Sequence, residues 1–440
     1  MSVQTSAEPE KVQVKSRGGR NEWLLVAFTA STNIGDAVTR VALPLLAVQL
    51  TDSPGLIALV AVLCTLPWLL TALHIGVFVD RKDRRSLMLG AEVARMVAAG
   101  ILLLAYLADM MSLPLIYAIA IALGVAEVVA VTSGASIIPS AVPKSRWQVV
   151  NTRITAIEYL SHGFVGAPIG GFLVAAGFAI ALGTTGVIYV VGALLLVLLV
   201  GNFVATPTKE RQPVNVELKD GLLFLWRHKL LRTMALLIAV MAGCWGAWIA
   251  ILPAYAVGGP LGLDERQFGL LLTCLGAGGV IGTVLVGPMN RLLGRRWSMF
   301  VDIIGSFALV AVPALVPARP LSAVAIGAAA FVAGLGGTMW TVNSRVIYQT
   351  LVPNDMLGRF SAASRLVGWG MTPVAAAIAG VLATLIGYRV AFGFFAVICA
   401  LLVIPFLRVV TAEAVAEVDK PEPEDAEHAA EPAAEPTAAR

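Results

Sequence analysis

The sequence predicts an all-α integral membrane protein, with twelve transmembrane helices in two pseudo-symmetric bundles of six. Its 440 residues are 58% hydrophobic and only 13% charged, with a mean hydropathy of +0.85. The apolar residues come in uncharged runs of about 20, the length that a helix needs to cross a bilayer. These runs lack the alternation of a barrel strand, and only helices or closed barrels satisfy the backbone in lipid. A shift of 210 residues also superposes the two halves.

The composition divides the chain into five regions. We expect a disordered cytoplasmic arm at residues 1–20 and a six-helix bundle at 21–205. A basic cytoplasmic connector at 206–230 leads to a second six-helix bundle at 231–411, and an acidic disordered tail follows at 412–440. Residues 214–226 of the connector have apolar side chains at helical spacing, which predicts an interfacial helix. The tail is rich in Ala, Glu and Pro and cannot bury a core.

The runs give approximate bounds for each membrane span. In the first bundle we expect spans at about 23–50, 55–79, 87–108, 113–135, 149–176 and 179–204. In the second bundle we expect them at about 231–257, 267–290, 297–317, 321–346, 357–386 and 388–410.

Positive charge predicts the orientation of these spans. Cations cluster in alternate loops, whereas the opposite loops hold only Arg266, Arg319 and Arg389. Because short loops rich in Lys and Arg stay in the cytoplasm, both chain ends are expected there. The net charge of the chain is +4. Because the tail from residue 411 onwards carries −7, the rest of the chain carries +11. That excess fits contact with anionic lipid headgroups, and the scattered cations do not favour nucleic-acid binding.

One loop carries a family resemblance. The pattern Gly76-x-x-x-Asp80-Arg81-x-x-Arg84-Arg85 follows the second apolar span. It resembles the loop signature that joins the second and third helices in the major facilitator superfamily. The resemblance implies two six-helix halves that rock around a central substrate site.

Other stretches resemble one group of exporters within that superfamily. The macrolide-efflux and enterobactin-exporter group is the one they resemble. The stretches are residues 33–44, residues 50–54, and Val352-Pro353 ahead of 358–360. This resemblance implies proton-coupled export of drugs or other lipophilic or amphipathic small molecules from a bacterial inner membrane, by a monomer. Export of a siderophore or another endogenous metabolite, uptake by symport, and a non-transporting membrane sensor or scaffold remain alternatives.

No enzyme or cofactor site is expected. The Gly-rich run 276–279 lies in an apolar span and lacks the Lys-Ser/Thr of a phosphate-binding loop. The four histidines show no zinc or catalytic spacing, and the four cysteines fall in apolar spans, so we interpret the cysteines as small buried hydrophobes. The expected partners are therefore a small-molecule substrate, protons and lipids, with the proton gradient as energy source and no metal.

Ionisable residues at membrane depth are costly and point to function. Asp36 and Arg40 lie four apart on the first span, about 20 Å from its start. Glu127 lies near the middle of the fourth span, with no cation within four residues, and Glu158 and His162 share a face of the fifth. We interpret all five as candidates for proton coupling. The structural alternatives are an intrahelical ion pair, a neutral carboxyl held by a hydroxyl, and a structural hydrogen bond.

The second half offers aromatic residues instead of mid-membrane acids. The candidate substrate wall consists of Trp245, Trp248, Trp340, Asn343 and Trp369. The alternative is ordinary packing or anchoring at the membrane interface. Glu92 and Asp302 superpose in the repeat, which predicts a structural charge network with the loop arginines.

The family resemblance also suggests a role for the signature loop. It implies that Asp80 faces the start of the eleventh span, near residues 354–358, where a helix N-terminus favours a carboxylate. We interpret the loop as a latch that stabilises the outward-open state, with Arg85 and Glu92 bracing it. The residues of this predicted latch are Gly76, Asp80, Arg81, Arg84, Arg85 and Glu92.

Overall fold

The computed structural model describes residues 9–79, 82–158, 160–161, 165–201, 203, 214–353, 356–411 and 413. Across these residues the chain is almost entirely helical, without a β-strand. The first half contains α1 to α7, at Pro9–Leu50, Pro54–Val79, Arg84–Leu107, Leu113–Ala141, Trp147–Glu158, Gly166–Ala176 and Phe178–Val197. The connector and second half contain α8 to α14, at Val214–Arg227, Lys229–Ala256, Glu265–Leu315, Ser322–Leu351, Leu357–Ile386, Tyr388–Leu401 and Val403–Val409.

The described helices confirm an all-α membrane architecture. Nine helical segments in this part of the chain are long and apolar enough to cross a membrane. One of them, α10, has 51 residues and a non-helical position at Gly294, where φ is 79°. At 1.5 Å per residue its length is about 77 Å, enough for two crossings. The nine segments include α10 once and leave out α1, α5 and α6. Two crossings by α10, one by α1 and one by α5 together with α6 would make twelve spans, which stays a prediction.

Two boundaries differ from the expected ones. α1 begins at Pro9, so residues 9–20 of the expected N-terminal arm belong to this helix. Pro favours the first turn of a helix, where its missing N–H costs nothing. The spans expected at 267–290 and 297–317 follow each other without a loop and meet at a kink at Gly294, where glycine accepts the positive φ. The helix expected within 214–226 is present as α8.

The beginning of α1 is held at the end of the molecule that carries the basic loops, which we call the basic face. The amide of Asn21 donates to the carbonyls of Ala141 and Val200, at 3.2 and 2.9 Å. Glu22, which is 1% exposed, accepts hydrogen bonds from Arg146 and Arg153. These contacts fix α1 against the ends of α4 and α7 and the start of α5.

The two halves meet most closely at the other end, which we call the opposite face. A Cβ at Gly171 of α6 would lie 2.7 Å from the Cα of Gly269 on α10. The backbone N–H of Gly55 on α2 donates to the hydroxyl of Thr384 on α12 at 2.9 Å. Small residues allow such close backbone approach in membranes. The glycines therefore hold the halves together at the opposite face.

Replacing Gly269 by Leu should separate α6 from α10 at the opposite face, because no side chain fits between their backbones. Such overpacking typically costs about 1–3 kcal/mol. Double electron–electron resonance between spin labels at Asp52 and Leu321, with the native cysteines replaced, should show a longer distance. Gly287→Leu is the matched control on the same helix, because nothing lies within 4 Å of a Cβ there. Equal distances in both variants would contradict this closure.

Candidate functional site

Five ionisable side chains meet inside the first bundle. They come from α1, α3 and α4, and we call them the charge network: Asp36, Arg40, Glu92, Arg95 and Glu127. α3 packs against α4 and α7, and α1 packs against α7, which brings these helices together. The network combines residues that are far apart in the chain.

Arg95 lies at the centre of the network. Its guanidinium is 2.6 Å from Oε1 of Glu92 and 3.1 Å from Oδ2 of Asp36. It also donates to the hydroxyl of Thr32 at 3.0 Å. The Arg95 side chain is 2% exposed and that of Glu92 0%. A guanidinium buried to this degree needs such partners, because an unpaired charge in an apolar interior is very costly.

Hydroxyl groups complete the buried end of the network. Tyr189 of α7 donates to Oδ1 of Asp36 at 2.9 Å, and its hydroxyl lies 3.2 Å from that of Thr39. Thr32 donates to Oε1 of Glu92 at 2.7 Å. A small cavity of about 10 Å³ adjoins this end, lined by Thr39, Arg95, Thr185 and Tyr189 together with four apolar residues. Its size is about that of one water molecule.

The other end of the network is more open. Arg40 of α1 donates to Oε1 of Glu127 on α4 at 2.7 Å, and the two side chains are 43% and 23% exposed. The interpretation of Glu127 as an isolated carboxylate is therefore wrong, because α4 brings it to a cation 87 residues away. The expected pairing of Asp36 with Arg40 is also replaced, since Asp36 binds Arg95 and Arg40 binds Glu127.

The latch residues divide between described and undescribed positions. Asp80 and Arg81, and the helix start at 354–355, lie outside the described residues. The side chain of Arg85 donates to the carbonyl of Val197 at 2.5 Å. The backbone N–H of Arg84 donates to the carbonyl of Phe203 at 3.3 Å.

Glu92 does not brace the loop with Arg85, because it accepts from Thr32 and Arg95. The predicted network of Glu92 and Asp302 with the loop arginines is accordingly wrong at Glu92. A Cβ at Gly76 would have no atom of the described structure within 4 Å, so this position does not by itself require glycine for a close approach.

The predicted proton relay on the fifth span is described only in part. Glu158 is exposed at the end of α5, and Arg365 of α12 interacts with it electrostatically. His162 lies outside the described residues. The Glu158–His162 relay stays a prediction.

The predicted aromatic wall is not one surface. Trp248, Trp340 and Asn343 are at most 2% exposed and belong to the packed interior. Nδ2 of Asn343 donates to Oδ1 of Asn290 at 3.1 Å, and Nδ2 of Asn290 donates to Oδ1 of Asn343 at 2.8 Å. Trp369 is 61% exposed, and Trp245 is half-buried. Large aromatic side chains on an all-apolar span pack inward as readily as they line a cavity, and the sequence does not distinguish the two.

Arg95 was missed by the sequence analysis, although a signal for it existed. It lies 11 residues into α3, about 17 Å along the helix axis. The rule that selected Asp36 and Glu127 applies equally to a cation at that depth. Glu92 three residues earlier gives it a neighbour on the same helix face.

The family follows from comparison with known proteins. A model of the Major Facilitator Superfamily matches residues 25–368 and 234–438. The chain belongs to the Major Facilitator Superfamily. It is therefore a multi-pass membrane transporter, and the resemblance carried by the signature loop is confirmed.

Relatives of this transporter include pumps named for drug efflux. Multidrug efflux pump Tap of Mycolicibacterium fortuitum is 25% identical over 383 residues, covering 85% of this chain and 92% of that protein. Multidrug efflux pump Tap of Mycobacterium tuberculosis (strain ATCC 25618 / H37Rv) is 25% identical over 419 residues, covering 91% and 97%.

Solved structures share the fold of this transporter. Nucleoside transporter NupG has a TM-score of 0.67 at 10% identity, covering 89% of this chain and 99% of that one. A bacterial homologue of the human lysosomal transporter Spinster, in an inward-facing and unoccupied conformation, has a TM-score of 0.64 at 12% identity, covering 94% and 99%. These likenesses confirm the fold.

Replacing Arg95 by Met should destabilise the transporter, because Glu92 and Asp36 lose their buried cation. Removing one partner of a buried ion pair typically costs about 3–5 kcal/mol. The melting temperature of the purified protein should fall clearly, and Glu92→Gln combined with Arg95→Met should recover part of the loss. Arg345→Met, at an exposed position of α11, is the control. A melting temperature equal to that of the wild type would contradict the central role of Arg95.

Proposed function

We propose that this transporter exports lipophilic or amphipathic small molecules, drugs among them, in exchange for protons. Two findings support export of such compounds: relatives that cover most of the chain are named multidrug efflux pumps, and the family is one of membrane transporters. The observation that carries proton exchange is the composition of the charge network. The proposed location is the inner membrane of a bacterium, with a monomeric protein and both chain ends in the cytoplasm.

The charge network contains one acid more than it has bases. Its carboxyl groups are those of Asp36, Glu92 and Glu127, and its cations are the guanidinium groups of Arg40 and Arg95. With all three acids ionised, these five side chains, which are 0–43% exposed, would carry a net charge of −1. Charge at membrane depth is expensive. One additional proton would make the five side chains neutral.

The exposed end of the network is where that proton would enter. Glu127 is 23% exposed, whereas Glu92 is sealed and Asp36 is 16% exposed. Asp36 and Glu127 also interact electrostatically, and two nearby carboxylates repel each other when both are ionised. A proton on Glu127 would release Arg40, and its loss would restore the pair. Glu127 is therefore the proposed exchanging group, with Asp36 as its coupled neighbour.

α1 connects this proton exchange to the movement of the two halves. It carries Asp36 and Arg40, and its outer end contacts the second half, where a Cβ at Gly258 would lie 2.6 Å from Val48. A change in the partners of Arg40 alters the position of α1 relative to α4. The glycine contacts at the opposite face would then open, and the substrate would leave on that side.

The substrate site is proposed for the space between the halves. With Trp248, Trp340 and Asn343 packed in the interior, Trp245 and Trp369 are the residues of the predicted wall that retain exposed surface. Exposed aromatic faces suit flat lipophilic compounds and attract organic cations.

Glu127→Gln should abolish efflux driven by a pH gradient, because an amide cannot exchange the proton and does not pair with Arg40. Proteoliposomes with an imposed pH gradient, loaded with the dye cation ethidium and with a panel of lipophilic antibiotics, provide the measurement. Asp109→Asn is the matched control. Asp109 has φ of 54°, which Asn tolerates, and lies outside the network. Undiminished pH-driven efflux in Glu127→Gln would refute the assignment.

Asp80→Asn tests the latch, which we retain as a proposal for the signature loop. A latch that favours one conformation changes the rate of transport without touching substrate. The variant should therefore transport more slowly while its affinity for the same compounds stays nearly unchanged. Asp83→Asn is the control, because Asn also caps the start of α3, where Asp83 now accepts from the backbone N–H of Arg85. A parallel loss of binding affinity in Asp80→Asn would be inconsistent with a latch.

A further inference from the structure

A second buried carboxyl group lies in the C-terminal half, away from the charge network. Asp302 follows the Gly294 kink on α10 and is 2% exposed. Its Oδ1 accepts a hydrogen bond of 3.2 Å from the hydroxyl of Ser306, which is fully buried. The Ser306 oxygen in turn accepts from Nε1 of Trp245 on α9 at 2.9 Å. The three side chains form a hydrogen-bonded chain that leads from a half-buried indole to the buried carboxyl group.

Asp302 lacks the cation that its repeat partner has. Glu92 is the equivalent residue in the first half, and it pairs with Arg95. The 210-residue shift places Gly305 where Arg95 would be. A Cβ at Gly305 would lie 2.6 Å from the Cα of Ala333 on α11, so no arginine side chain fits there. Among the described residues, Asp302 has no ion pair with Lys, Arg or His.

The helices around Asp302 offer few groups that titrate. α9 presents Cys244 and α13 presents Cys399, whose thiols donate to the carbonyls of Phe395 and Ile303. α11 presents glycines, and a Cβ at Gly336 would lie 2.5 Å from the Cα of Asp302. Two thiols, the Ser306 hydroxyl and backbone are therefore among the groups around Asp302, and none of them carries a positive charge that would balance a carboxylate.

We propose that Asp302 is a second proton-binding site of this transporter. Its protonation state is linked to Trp245 through the hydrogen bonds of Ser306. An ionised carboxylate without a cation in an apolar interior costs far more than the protonated acid, so Asp302 holds a proton in this conformation. Because Oδ1 accepts from Ser306, the proton resides on Oδ2. Release of that proton leaves a carboxylate, which requires that water reach α10 when the neighbouring helices separate.

Trp245 connects this site to a partly exposed position on α9. Its ring lies 3.2 Å from the position of a Cβ at Gly337, and the side chain is half-buried. A compound that displaces the indole breaks its hydrogen bond to Ser306, which changes the hydroxyl that contacts Asp302. Binding at Trp245 and protonation of Asp302 are then coupled, and this coupling uses no residue of the charge network.

Infrared difference spectroscopy on the whole protein in lipid nanodiscs tests the proposal without any substrate. The wild-type spectrum minus that of Asp302→Asn should contain the carbonyl band of a protonated carboxylic acid at neutral pH, and the band should disappear reversibly as the pH rises. Ser306→Ala and Trp245→Phe should shift the band, because each removes one bond of the chain. Ser298→Ala and Trp248→Phe are matched controls that should leave it unchanged, since Ser298 donates to Gly294 and Trp248 is packed elsewhere in the core.

Three results would overturn the proposal. Absence of the carbonyl band from the difference spectrum means that Asp302 is ionised. A band that persists unchanged until the protein unfolds means that the carboxyl group is permanently neutral and exchanges no proton. A band unaffected by Ser306→Ala and Trp245→Phe means that the indole does not report on it. The last two results are changes of the wild-type band with pH or on substitution of Ser306 and Trp245, so they are measured on proteins that retain Asp302 and hold even if Asp302→Asn does not fold.

Discussion

The pairing of one buried guanidinium with two carboxylates organises the first half of this transporter. Arg95 binds Glu92 on its own helix and Asp36 on α1, and its side chain is only 2% exposed. Because Asp36 forms its ion pair with Arg95, Arg40 can form an ion pair with Glu127 on α4. In this arrangement Glu92 is sealed, whereas Glu127 keeps 23% of its side chain exposed.

The two halves share a repeat but differ in how they treat the equivalent acid. In the first half Glu92 is ion-paired, and in the second Asp302 is held by a hydroxyl. The physical cause is a single position, because Gly305 allows α10 to approach α11 where Arg95 would need space. Close helix packing and a buried ion pair are alternative uses of the same volume. The repeat thus supplies one scaffold with two kinds of environment for a buried acid.

The parts of the structure that were predictable from sequence are those controlled by local composition. The bounds of α12 and the position of α8 agree with expectation, since hydropathy and helical spacing are properties of adjacent residues. The burial of Glu92 and Asp302 at equivalent depth also agrees with the repeat. By contrast, the partner of Glu127 lies 87 residues away on another helix, and no local pattern contains that information. The same limit explains Trp248 and Trp340, whose orientation depends on which neighbours surround their helices.

The sequence by itself determined that this protein is a helical membrane protein, because the bilayer demands long apolar spans. The 210-residue repeat predicted two related halves, and the resemblance of the signature loop to the family predicted a transporter. The sequence also identified four of the five residues in the charge network. The tertiary structure decided how they pair, through the packing of α1 and of α3 against α4 and α7. Pairing depends on distances of about 3 Å between side chains of different helices, and those distances exist only once the helices have packed.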